Sequence, residues 1–81
     1  MKVHVQFYAQ LRDAAGKSES DIEIEPDRTI ADLLEQLYRE LPALRAHDKG
    51  ILIGAGLEFV NRNYRLKPDE TISIMPPVQG G

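Results

Sequence analysis

The last seven residues, Met75-Pro76-Pro77-Val78-Gln79-Gly80-Gly81, hold the chain's most suggestive chemistry. Gly80 and Gly81 carry no Cβ, so this end can adopt backbone angles closed to other residues and thread a narrow passage. Pro76 and Pro77 stiffen the chain ahead of it and cannot enter a sheet interior. The expectation is a domain over residues 1–75 and a flexible functional tail over residues 76–81. The carboxylate of Gly81 is the expected reactive group. Gly-Gly alone reads as a frayed terminus. Directly after Pro-Pro-Val it reads as a built feature. Met75, Pro76, Pro77, Val78 and Gly80 are the expected partner-binding residues, as exposed apolar patches often mark docking sites. Tyr8 and Phe59 fit either that patch or the core.

Other chemistries find little support. The chain has no cysteine, so it offers no thiol nucleophile, no disulfide and no Cys-based metal site. His4 and His47 lack metal-ligand spacing, and no metal is expected; both read as solvent-facing. Asp21, Glu23 and Glu25 read as a solvated strand face that discourages edge pairing. Gly54-x-Gly56 lacks the third glycine and the following helix of a dinucleotide site. Arg62, Arg65 and Lys67 read as a local, solubilising basic cluster.

Composition sets the frame. Eighty-one residues suit one domain, which buries roughly 60% of its unfolded surface. A net charge of −3 speaks against nucleic acid as the main partner, whose footprint is normally a basic patch. Met1-Lys2 leads into alternating residues and not an apolar run, so neither a signal peptide nor a membrane segment is expected. A cytoplasmic location is the matching expectation.

The elements that must position the tail follow from periodicity. Residues 2–9 alternate, with Val3, Val5 and Phe7 on one face. Residues 12–17 read as a loop with Gly16 in the left-handed conformation. Residues 20–25 alternate again, Ile22 and Ile24 inward, giving an antiparallel pair with the first strand. Thr29 and Asp32 form a capping box ahead of a helix with its stripe at Ile30, Leu33, Leu34, Leu37, Tyr38 and Leu41. Pro42 ends that helix. Residues 43–50 read as a polar loop, and Ile51-Leu52-Ile53 as a short strand that stops before Gly54. Residues 57–60 give another short strand, and Asn61-Arg62-Asn63 a turn. Lys67-Pro68-Asp69-Glu70 is a tight turn with proline at its second position. Thr71-Ile72-Ser73-Ile74 is the last strand, Ile72 and Ile74 inward.

The order is β-β-α-β-β-β, with a single helix to cover one face of the sheet. If the first and last strands are parallel neighbours, the helix supplies the crossover they need. That is an α+β architecture, the β-grasp or ubiquitin-like fold, with a mixed sheet covered by one main helix.

On these residues the chain resembles the small subunits of molybdopterin synthase, sulfur-carrier proteins of molybdenum-cofactor biosynthesis. The similarity spans nearly the whole chain. It is most specific at Pro76-Pro77-Val78-Gln79-Gly80-Gly81, which matches that family's Pro-Pro-Val/Ile-x-Gly-Gly ending. Val5-Gln6-Phe7-Tyr8-Ala9-Gln10-Leu11-Arg12 resembles its first strand, and Asp69-Glu70 its Asp-Glu turn.

The resemblance implies a chemistry. An E1-like adenylyltransferase would adenylate Gly81 with ATP, and a sulfur donor would convert it to a thiocarboxylate. The tail would then enter the large subunit of molybdopterin synthase and deliver sulfur to cyclic pyranopterin monophosphate. The chain itself would bind no cofactor, and catalytic acids, bases and metals would belong to its partners. Three alternatives share the tail or the fold: a thiamine-type sulfur carrier, a ubiquitin-like protein modifier joined through Gly81 to lysines, and a β-grasp interaction module with an inert end.

Overall fold

The computed structural model describes residues 1–77. Val78, Gln79, Gly80 and Gly81, which carry the expected reactive end, lie outside the described residues. Strand β1 (Lys2–Phe7) buries Val3, Val5 and Phe7 on one side, as its alternation demands. Strand β2 (Glu19–Glu23) runs antiparallel to it, with Ile22 opposite Val3. Strands β3 (Leu52–Ala55) and β4 (Glu58–Val60) form a hairpin closed by Gly56-Leu57. Strand β5 (Thr71–Met75) lies parallel to β1, with Ile72 beside Val5, and antiparallel to β3. The sheet order is β2-β1-β5-β3-β4. This is the mixed β-grasp sheet, with the last strand at its centre.

Two helices precede β3. The first, α1 (Gln10–Ala15), replaces the loop expected at Arg12–Lys17. Its physical reason is burial: Leu11 and Ala15 lie four residues apart and both face the core. Gly16 ends it with φ 76°, the left-handed cap expected there, and its N–H donates 2.9 Å to the Arg12 carbonyl.

The second helix, α2 (Ile30–Glu40), crosses the sheet and buries Ile30, Leu33, Leu34, Leu37 and Tyr38. Leu41, at its C-cap, is half-buried against the core. Its capping box forms as the sequence requires. The Thr29 N–H donates 3.0 Å to Asp32 Oδ2, and the Asp32 N–H donates 3.4 Å to Thr29 Oγ1. Two more free N–H groups of the first turn, Ile30 and Ala31, donate 3.0 Å to the carbonyls of Tyr64 and Arg62. The loop before β5 therefore caps α2 as well as connecting strands.

Past Pro42 the chain tightens into a 3-10 segment, Pro42–Gly50, where an irregular polar loop was expected. Leu44 explains it, being almost fully buried and anchoring the segment in the core beside α1 and α2. β3 also runs further than its apolar run suggests, through Gly54 and Ala55. There it pairs with Ser73 and Ile72 of β5, and the neighbouring ladder overrides the weak strand preference of glycine. The turn at Lys67–Glu70 forms as expected. The Glu70 N–H donates to the Lys67 carbonyl, and Asp69 takes φ 60°, as the third position of a type II turn requires.

Candidate functional site

The fold leads the chain's last described residues out of the sheet's centre. Met75 ends β5 opposite Leu52. Pro76 is half-buried and Pro77 exposed. Neither proline has an N–H to donate, so the strand's donor ladder cannot continue past Met75.

Alternation places Met75 on the face of the sheet away from α2, because Ile72 and Ile74 point inward. Tyr8 and Phe59 share that outer face. They are 43% and 70% exposed, which settles both as surface residues and not core. With Gly54, Leu57 and Ser73 they line a shallow groove of about 180 Å³. Leu57, at the tip of the β3–β4 hairpin, is fully exposed. Reasoning from sequence missed it, although an apolar residue directly after Gly56 in a hairpin tip was a readable signal. Four exposed or half-exposed apolar side chains thus gather where β5 hands over to the terminal segment. Such a patch rimmed by polar residues favours protein docking.

On the other side of Pro76 and Pro77 lies a cleft of about 590 Å³. Arg45, His47 and Lys49 of the 3-10 segment line it together with Gln10 and Ile51. The segment is held by one hydrogen-bonded knot. The Tyr38 hydroxyl donates 2.6 Å to Asp48 Oδ1, and Arg62 Nη1 donates 2.8 Å to the same oxygen. The Tyr38 hydrogen bond, with Arg62 second, holds the Asp48 carboxyl below its ordinary range. Arg45 lies over the Tyr38 ring at 5.0 Å.

The structure separates the basic residues expected to cluster. Arg62 serves Asp48, Arg65 meets Asp27 at 3.5 Å, and Lys67 lies 6.0 Å from the Tyr64 ring centre. His4 is likewise not simply solvent-facing. Its Nδ1 sits 2.7 Å from Asp21 and its Nε2 3.4 Å from Glu19, which turns the β2 face into its partner. Among the described residues no group of three or more His, Cys, Asp or Glu could hold a metal ion. Among them also, no helix is long and apolar enough to cross a membrane.

Of the expected site residues, the structure therefore brings Met75 together with Tyr8 and Phe59, and Pro76 with Pro77 beside the basic cleft. Val78, Gly80 and Gly81 lie outside what it describes.

A small mixed sheet over one long helix, with its central strand ending in a proline-led segment, defines a ubiquitin-like β-grasp protein. Residues 5–81 match the ThiS family. The chain is 30% identical to a molybdopterin synthase sulfur carrier subunit of Chlamydomonas reinhardtii, over the whole of both chains. Among solved structures it superposes on SAMP1 of Haloferax volcanii with a TM-score of 0.87 at 22% identity, all of both chains being covered. It resembles small archaeal modifier protein 1 of Methanosarcina acetivorans with a TM-score of 0.80 and 28% identity, over 99% of this chain and 96% of that one. It also matches a chain in the complex of subunits 1 and 2 of the molybdopterin-converting factor of Helicobacter pylori, with a TM-score of 0.70 and 26% identity over all of both chains. The chain belongs to the ThiS family.

Proposed function

We propose that this chain is the sulfur carrier subunit of a molybdopterin synthase. The observation that carries this reading is its similarity, from end to end, to the sulfur carrier subunit of Chlamydomonas reinhardtii. The Gly81 carboxylate attacks the α-phosphorus of ATP on an E1-like adenylyltransferase, and pyrophosphate leaves. A hydrosulfide equivalent from the sulfur donor then attacks the acyl carbon, and AMP leaves. The product is a thiocarboxylate, whose sulfur goes to cyclic pyranopterin monophosphate inside the large subunit.

The geometry supports this division of labour. The apolar outer face of Tyr8, Phe59 and Met75 lies exposed or half-exposed beside the end of β5, where a large subunit could dock. Four residues beyond Pro77 span at most about 13 Å when extended, enough to enter a partner's active site from a docked domain. A subunit-1/subunit-2 complex among the solved relatives supports a large-subunit partner.

The test is reconstitution. The chain is mixed with ATP, an E1-like adenylyltransferase and a sulfide source, and its intact mass is read. Exchange of one oxygen for one sulfur, mapped to Gly81, and molybdopterin formation on adding the large subunit are the expected results. An unchanged mass, or full molybdopterin synthesis by a chain lacking Gly81, overturns the reading.

A second reading rests on the 28% identity to a small archaeal modifier protein. In it Gly81 is joined to lysine side chains of other proteins. Gly81–lysine isopeptides in extracts of the native host would support it, and the two roles are compatible.

A further inference from the structure

We infer that Gly50 is a positioning residue for the C-terminal segment, seating the Pro77 ring and so setting the direction in which the last four residues leave the domain. The functional consequence rests on the sulfur-carrier reading; the contact itself does not.

The argument begins with register. β3 and β5 are antiparallel, with Leu52 opposite Met75. Two steps further along the same register, Gly50 falls opposite Pro77. Ordinary cross-strand partners in a sheet keep their Cβ atoms about 4.5–5.5 Å apart. Here the proline ring folds across the place where a Cβ would stand. A Cβ on residue 50 would lie 3.2 Å from Pro77 Cγ and 3.3 Å from Pro77 Cδ. Its distance to Pro77 Cβ would be 3.9 Å, closer than that spacing but an ordinary van der Waals contact. The conflict is therefore with the two ring atoms that make residue 77 a proline.

Nothing in the backbone of residue 50 requires glycine, since its φ is not in the left-handed region. The missing Cβ matters because of what lies above it. The ladder's donors stop at Met75, so the path of Pro76 and Pro77 depends on packing and not on hydrogen bonds. A proline ring is rigid and cannot fold out of the way as the end of a long side chain can. Any side chain at residue 50 must push the ring, and with it the backbone of Pro77. A change of direction there is carried outward along up to about 13 Å of extended chain. Two residues before Gly50 the same segment is tied down, Asp48 accepting from Tyr38 and Arg62.

The experiment uses the full chain and the variants Gly50→Val, Pro77→Ala and the double variant. Two-dimensional NMR reads contacts between the Gly50 Hα protons and the Pro77 ring in the wild type. Activation by the E1-like adenylyltransferase, followed as ATP-dependent pyrophosphate exchange, gives kcat and KM. Gly50→Val should keep its melting temperature and shift resonances only near residues 48–52 and at the C-terminal segment. It should lower kcat/KM for activation by several-fold, because the ring must give by a few tenths of an ångström, less than the misplacement of about 1 Å that can cost about a hundredfold. Pro77→Ala removes the two clashing ring atoms, so adding it to Gly50→Val should cost little or restore activity. Absence of the Gly50–Pro77 contact in the wild type overturns the inference. So does a Gly50→Val chain with unchanged kcat/KM, or a loss that adds fully to that of Pro77→Ala. If the wild type itself is never activated, the sulfur-carrier reading fails, and the NMR contact then decides the positioning role alone.

Discussion

The Tyr38 hydroxyl, on the inner face of α2, donates a 2.6 Å hydrogen bond to Asp48 in the 3-10 segment. Arg62, from the loop before β5, reaches the same carboxylate at 2.8 Å. Three stretches far apart in the chain thus meet at one oxygen. Burial, with the Asp48 hydrogen bond second, raises the Tyr38 pKa well above its usual range. This knot holds the 3-10 segment whose end, Gly50, lies against Pro77.

Replacing Asp48 by Ala should therefore destabilise the domain by about 1–2 kcal/mol, since it leaves the Tyr38 hydroxyl without its acceptor. The melting temperature should fall by about 4–8 °C for each kcal/mol in a domain of this size. The pH dependence has a definite sign. The folded state lowers the Asp48 pKa, so it binds that proton less readily than the unfolded chain does. The stabilisation is present above the ordinary aspartate value of about 3.9 and is lost as pH falls through the lowered one. Melting temperatures of wild type and Asp48→Ala should differ by a constant amount from neutral pH to about pH 5 and converge below about pH 4. A gap that persisted undiminished at pH 2 would assign the effect to packing instead.

The capping box offers a second test. The Thr29 backbone N–H, then its hydroxyl, hold the Asp32 carboxyl below its ordinary range. Thr29→Ala removes the acceptor of the Asp32 N–H and should lower stability by about 1 kcal/mol. Thr29→Asn should recover most of it, because asparagine caps equally well. Urea unfolding with an unchanged slope and a shifted midpoint is the measurement.

Gly16 should tolerate no Cβ without loss. Its φ of 76° is strained for any other residue, although nothing occupies the space around it. Gly16→Ala should therefore destabilise by about 1 kcal/mol through the backbone alone. Amide exchange should quicken first in α1. An unaltered α1 would mean that the cap contributes nothing.

Phe59→Ser separates docking from folding. With its side chain mostly in solvent, the change should leave stability within about 0.5 kcal/mol. Affinity for the large synthase subunit should fall about tenfold or more, as aromatic anchors of an interface typically require. Calorimetric titration of the two subunits reads this directly. Equal affinity of wild type and variant would remove the outer face from the proposed interface.

Much of the fold could be read before any coordinates. Val3, Val5 and Phe7 alternate within one strand, and Ile30 to Tyr38 recur at the helical spacing within one helix. Thr29 meets Asp32 three residues on, and Pro68 sets the turn it occupies. These signals are local, because each is a matter of period or of a backbone angle over a few residues. The parallel pairing of β1 with β5 stood in the sequence as a condition, which the structure meets with α2 in the crossover. The family, too, was legible, through the terminal motif.

Tertiary structure decided the rest. α1 is too short to stand by its own propensity and forms because Leu11 and Ala15 find the core. Leu44 plays the same part for the 3-10 segment. Whether Phe59 faced core or solvent depended on the register of β4 on β3, which sets it opposite Gly54. Arg62 looked like a neighbour of Arg65 and Lys67 but belongs to Asp48, 14 residues earlier. Gly50 looked like a loop glycine until its place opposite Pro77 was known. Each of these depends on contacts between residues distant in the chain. Spacing within a segment fixes which face a side chain takes, and only the packed fold supplies what stands opposite it.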